Sequence, residues 1–172
     1  MRSALEMRVD RFQFVDRIME LDCAAASIAA GARVPVQNSI FSGHFPGHAL
    51  MPGVLLVEFM AQTCGFLLLS LNGFSRMPFL AALKVVNFRS FVLPGTALVC
   101  RATREHDGSG YAVMKAEVYR DGEDQRVCDA GLTFRTTAYP NAVLKDHMLE
   151  RAREVGLCPR EDGVVLAGEF AQ

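Results

Sequence analysis

From Val54 to Leu71 the chain is almost continuously apolar, whereas on either side of that run polar and apolar positions alternate in the short period of strands. A segment apolar on every side belongs at the centre of a fold, covered all round by other elements. Pro52-Gly53 opens it, proline being favoured in a first helical turn, and Asn72-Gly73 closes it. Before it, Arg11 to Asp22 reads as a strand, Ala24 to Val36 as its partner, and Val36 to Met51 as a loop punctuated by Gly43, Pro46 and Gly47. After it come four alternating runs: Phe79 to Val92, Ala97 to His106, Tyr111 to Arg120 and Arg126 to Thr137. Asp107-Gly108 and Asp121-Gly122 separate the later ones, a strong hairpin pattern. The predicted order is two strands, one buried helix, then a meander of about four strands, an α+β arrangement in which a curved antiparallel sheet wraps the helix. One sheet leaves such a helix partly open, so a second subunit is expected to complete the cover.

The organisation expected is one folded unit over residues 1–138, followed by a tail, 139–172, that is helical or partly disordered. Within the tail, Leu144 to Val155 suits a helix and Glu161 onward reads as loose. With 172 residues and a net charge of −1, the chain offers neither a nucleic-acid surface nor a polybasic membrane anchor. The five cysteines are scattered without metal-ligand spacing, which suits reduced thiols in a cytoplasm. The N-terminal residues lack the apolar stretch of a secretory leader. Val54 to Leu71 has the length of a membrane span, but Glu58 and Gln62 within it argue against insertion.

The chemistry concentrates between Gly43 and Gln62, GHFPGHALMPGVLLVEFMAQ. His44 stands in a loop built by proline and glycine; fourteen residues later a single carboxylate, Glu58, interrupts the apolar run. An ionised carboxylate buried without a partner costs several kcal/mol, about as much as a domain's whole stability. Carboxyl groups in apolar surroundings keep a proton to higher pH, and an imidazole titrates nearby, so the pair suits a general acid and a general base. His44 and His48 as a metal pair are disfavoured by the intervening Pro46-Gly47 and the lack of a third ligand; no metal and no bound cofactor are expected.

The block G-H-F-P-G-x-x-x-M-P-G-V-L-x-x-E-x-x-A-Q resembles the 3-hydroxyacyl-[acyl-carrier-protein] dehydratases of the hot-dog fold. Phe14 to Ile18 is similar to that family's first strand, and Lys84 to Gly95 to its strand leading into a Pro-Gly turn. The likeness spans roughly residues 12 to 137 and fixes two catalytic residue types, their separation and three glycines. A sister group that also isomerises the double bond usually has aspartate where this chain has Glu58. EHDGSGYAVMKA and AREVGL resemble a branch handling very-long-chain acyl groups of lipid A in some Gram-negative bacteria.

The resemblance implies a homodimer, often assembled as a trimer of dimers, with His44 of one chain meeting Glu58 of the other. It implies an acyl carrier protein bearing a phosphopantetheine-linked acyl chain as partner, His44 as base and Glu58 as acid. The Gly53 amide, at the positive end of a helix, suits a developing enolate oxygen, and a glycine there leaves room for the acyl chain. Gln62, one turn after Glu58, either orients that carboxyl group or holds a water, or else bonds a nearby backbone carbonyl. Phe79, Leu80, Phe88 and Phe91 are candidates for an acyl tunnel, while Lys84, Arg89, Arg101 and Arg104 are candidates for the acidic carrier. A hot-dog thioesterase and a non-catalytic acyl-binding subunit are the competing readings; the first would not require this His and Glu, and the second should have lost one of them.

Overall fold

The computed structural model describes residues 6–160 and 163–167. The long apolar run forms α2 (Gly53–Leu71), preceded by a single-turn α1 (Ile40–Gly43) inside what was expected to be pure loop. Around α2 curves one six-stranded antiparallel sheet, made of β1 (Arg17–Asp22), β2 (Ser27–Arg33), β3 (Met77–Phe88), β4 (Ala97–Gly108), β5 (Tyr111–Arg120) and β6 (Arg126–Thr137). This is the hot-dog architecture. The inward residues of β4, β5 and β6 are small or apolar: Cys100 faces Val118, Ala102 faces Ala116, and Met114 faces Leu132, all buried. Small residues there let the sheet close onto the thick helix between large ones such as Met60 and Leu67. Polar groups inside α2 are bonded locally: the Thr63 hydroxyl donates to the Phe59 carbonyl and the Ser70 hydroxyl to Phe66, both at 2.8 Å. The helix is long and apolar enough to cross a membrane, yet most of it is buried in this core.

The strand order is β1-β2-β4-β5-β6-β3, so the four later strands are not a simple meander. β3 passes over and pairs with β6, leaving itself as an edge. Its seven residues Phe79 to Val85 are all exposed, and the pairing slips twice, between Leu80 and Ala82 and between Lys84 and Val86.

The first predicted strand is shorter than its pattern. Arg11 closes a single 3-10 turn (Val9–Arg11), Phe12 takes a left-handed φ of 56°, and only Arg17 onward is strand. The intervening Phe14 gives its amide to a side chain of α2 instead of a neighbouring strand. β3 likewise stops at Phe88, because Arg89 turns off to bond Val127 and the chain then crosses to pair Val92 with Met51.

Beyond the sheet, α3 (Ala142–Glu154) is capped by Asn141, whose side-chain oxygen accepts the Leu144 amide at 2.8 Å. It is followed by a hairpin of β7 (Leu157–Arg160) and β8 (Gly163–Leu166). The expected loose end therefore holds a strand at 163–166; of the rest of that expectation, 161–162 and 168–172 lie outside the described residues.

Candidate active site

Glu58 and Gln62 share one face of α2, and Gln62 both holds that carboxyl group and bonds a backbone carbonyl. Its Nε2 donates to Glu58 Oε1 at 2.9 Å and to the Phe12 carbonyl at 2.8 Å. Its Oε1 accepts the Phe14 amide at 3.0 Å. These three bonds fix the amide's orientation, and through it hold one carboxylate oxygen of Glu58. Glu58 itself is half-buried in the single chain, so it is less enclosed than its apolar sequence neighbours suggest.

The Glu58–Gln62 stripe floors a cavity of about 380 Å3. Its helix side is Glu58, Ala61, Gln62, Gly65, Phe66 and Leu69, positions three and four apart along one face. Over the eleven rises from Glu58 to Leu69 this amounts to a groove about 16 Å long. The opposite wall is the start of β3, from Met77 to Leu80, with Phe134 of β6, so Phe79 lines this space. Phe12 and Gln13 form a third side. His147, Met148 and Arg151 of α3 also line it, a contribution that the polar character of the tail gave little reason to foresee.

His44 is positioned separately. α1 ends on it, its amide bonding the Ile40 carbonyl at 3.0 Å, and the chain then reverses through Phe45 (φ 58°) and Gly47 (φ 82°). Its Nδ1 lies 3.2 Å from the Leu50 carbonyl oxygen. A carbonyl only accepts, so Nδ1 carries the proton of the neutral ring and Nε2 keeps a free lone pair. The Phe45 ring packs edge-on at 4.4 Å. His44 is not among the residues lining the Glu58 cavity of its own chain.

Gly53 stands at the first turn of α2, where amides have no carbonyl a turn earlier to bond. The space expected above it for an acyl chain is filled by Phe88: a Cβ at Gly53 would lie 2.8 Å from that ring. Phe88 consequently packs on the helix start and does not line the Glu58 cavity. Among the cations considered for a carrier, Arg89 is engaged with Asp129 at 2.6 Å and Arg104 with Asp107 at 2.9 Å. Arg101 lies 5.7 Å from the Tyr119 ring. Among the described residues no three His, Cys, Asp or Glu side chains gather as a metal site.

The FabA-like domain model matches residues 7–130. The 3-hydroxyacyl-[acyl-carrier-protein] dehydratase FabZ of Fusobacterium nucleatum is 35% identical over 123 residues, 72% of this chain and 85% of that protein. The FabZ of Caldicellulosiruptor saccharolyticus is 38% identical over 137 residues, 77% of this chain and 94% of that one. Among solved structures, a conserved protein of Pseudomonas aeruginosa superposes with a TM-score of 0.58 at 21% identity, covering 79% of this chain and 98% of that one. A hypothetical thioesterase of Streptococcus pneumoniae, solved with coenzyme A, gives 0.56 at 16%, covering 73% and 88%. At such identities the structural likeness speaks for the fold. The helix-borne Glu58 with its Gln62 clamp, the His44 loop and the matched residues together lead to one conclusion: this chain belongs to the FabA-like family.

Proposed function

We propose that the chain dehydrates (3R)-3-hydroxyacyl thioesters carried by acyl carrier protein to trans-2-enoyl thioesters, in cytoplasmic fatty acid biosynthesis. The observation that supports this best is the Gln62-held carboxyl group of Glu58 at one end of a long groove lined by both apolar and polar side chains. The dehydratase names of the relatives point the same way.

In this reading His44 Nε2 removes the proton α to the thioester carbonyl. Charge moves onto the carbonyl oxygen, where the Gly53 amide and the positive end of α2 stabilise it. The α,β double bond forms as the β C–O bond breaks, and Glu58 supplies the proton with which the hydroxyl departs as water. Transfer of a proton from the imidazolium back to the carboxylate restores both groups.

The site is proposed to be completed in a homodimer, since His44 stays outside its own chain's Glu58 cavity. The bare β3 edge supports this: Leu80, Leu83 and Val85 are exposed at 41%, 45% and 77% on a strand with a free hydrogen-bonding side. A second copy placed there would bring another chain beside Phe79 and the groove. A trimer of dimers, the carrier's docking surface and a very-long-chain substrate are finer forms of the proposal; the last rests on EHDGSGYAVMKA and AREVGL alone.

The test is enoyl-thioester formation, followed by absorbance, with wild type, His44→Ala and Glu58→Gln checked for folding and assembly. Loss of turnover by a factor of about a hundred or more in both folded variants is expected. A wild type that frees the carrier thiol without enoyl product is a thioesterase, and one inactive on every chain length is a binding subunit.

A further inference from the structure

The family match ends at residue 130, yet the Glu58 cavity has a wall made after it. The path of the chain shows how. β6 ends at Thr137, which pairs with Met77 near the C-terminal end of α2. From there α3 runs back, and its far end is tied down beside the Gln62 clamp: the Arg151 guanidinium donates to the Val15 carbonyl, and the Ile18 amide donates to the Val155 carbonyl at 2.7 Å. Phe14, next to Val15, is the residue whose amide Gln62 holds. The middle of α3 therefore borders the groove, with His147 and Met148 lining it. On the helix side of the same cavity, Gly65 meets nothing within 4 Å of where a Cβ would be, so the groove is open there.

We infer that α3 is the roof of the acyl groove and that Met148, which lines the same cavity as Gly65, determines which acyl chains fit. The inference rests on the proposed dehydratase reading for the identity of the occupant, a hydrocarbon chain bearing a β-hydroxy thioester beside Glu58. A methionine suits this place because its unbranched, polarizable side chain adapts to a flexible apolar ligand. The bland alternative is that Met148 merely seats α3 on the core. The two differ in consequence: a seating residue changes stability and all substrates alike, whereas a roof residue changes the ranking of substrates.

The experiment is a chain-length profile of kcat/KM on 3-hydroxyacyl carrier-protein substrates, for wild type, Met148→Ala, Met148→Leu and Met148→Trp, with melting temperatures alongside. In parallel, binding of a series of saturated fatty acids is measured by calorimetry. Met148→Trp is expected to lower the long-to-short ratio by roughly tenfold or more, Met148→Ala to raise it, and Met148→Leu to stay near wild type. Gly65→Val, which narrows the same space from the floor, should act like the tryptophan. Parallel profiles in Met148→Ala and Gly65→Val, both folded, overturn the inference even if Met148→Trp does not fold. Should no substrate turn over while the binding profile still shifts with Met148, the roof stands and the dehydratase reading falls. Normal dehydration with both profiles unmoved sinks the roof alone.

Discussion

The side-chain amide of Gln62 uses both N–H groups and its oxygen at once, on Glu58, Phe12 and Phe14. Gln62→Leu keeps the bulk but strands a carbonyl, an amide and a carboxylate, each loss costing about 1–3 kcal/mol if the group stays buried. We expect that variant to melt lower and to lose turnover, whereas Gln62→Glu retains acceptors but places a second carboxylate against Glu58. Comparing kcat and KM for the two separates loss of orientation from loss of fold. Asp16 gives a pH effect of its own. Burial pushes its carboxyl group up to about 6, against the Arg33 amide and the Arg151 and Arg8 charges, with Glu6 adding to the rise. A folded value above the unfolded one means a contribution to stability that is complete below about pH 4 and is lost as pH climbs through about 6. Asp16→Asn should flatten stability over that window and raise it at neutral pH by about 1 kcal/mol, after allowance for solvent screening. Denaturant titrations at several pH values would show it; an unaltered curve would falsify the assignment.

At the level of elements, the start of α2 depends on a glycine for steric reasons visible only once the sheet is built. Gly53→Ala brings a methyl group against the Phe88 ring, which is 51% exposed and can give way toward solvent, so the cost should stay at or below about 1 kcal/mol, the low end for overpacking. The double variant Gly53→Ala/Phe88→Leu should recover most of that loss in a thermal melt, whereas Phe88→Leu alone should not be stabilising. α2, the β4–β5–β6 hairpins and the His44–Glu58 spacing were legible because each depends on local pattern: an all-apolar run, Asp-Gly turns, a fixed motif. What the sequence pattern misassigned depends on distant partners. Phe12 to Asp16 alternates like a strand but is claimed by Gln62 and Arg33. Phe88 reads as tunnel lining but is claimed by Gly53, thirty-five residues away. Met148 could not be singled out at all, since a methionine in a polar tail carries no periodic signal until the path of α3 is known.

For the whole molecule the strongest prediction concerns shared sites. If His44 and Glu58 act across a dimer, inactive His44→Ala and Glu58→Gln proteins, dissociated and reassociated in equal amounts, should regain about a quarter of wild-type activity. Half of the dimers are then mixed, and each mixed dimer has one intact site. No recovery after verified exchange would place both residues in one chain. Leu83→Lys, on the exposed β3 edge, should weaken association in sedimentation and abolish turnover with both catalytic residues still present.

The sheet order also sets a schedule for synthesis. β3 leaves the ribosome before β4 and β5, but its partner in the sheet is β6, whose last residue is Thr137. Until that residue has emerged, β3 has no strand to join and one flank of α2 has no cover, although the rest of the apolar helix is already made. Nascent chains paused between Phe88 and Thr137 are therefore the ones that should be most readily cut by protease and most strongly held by chaperones.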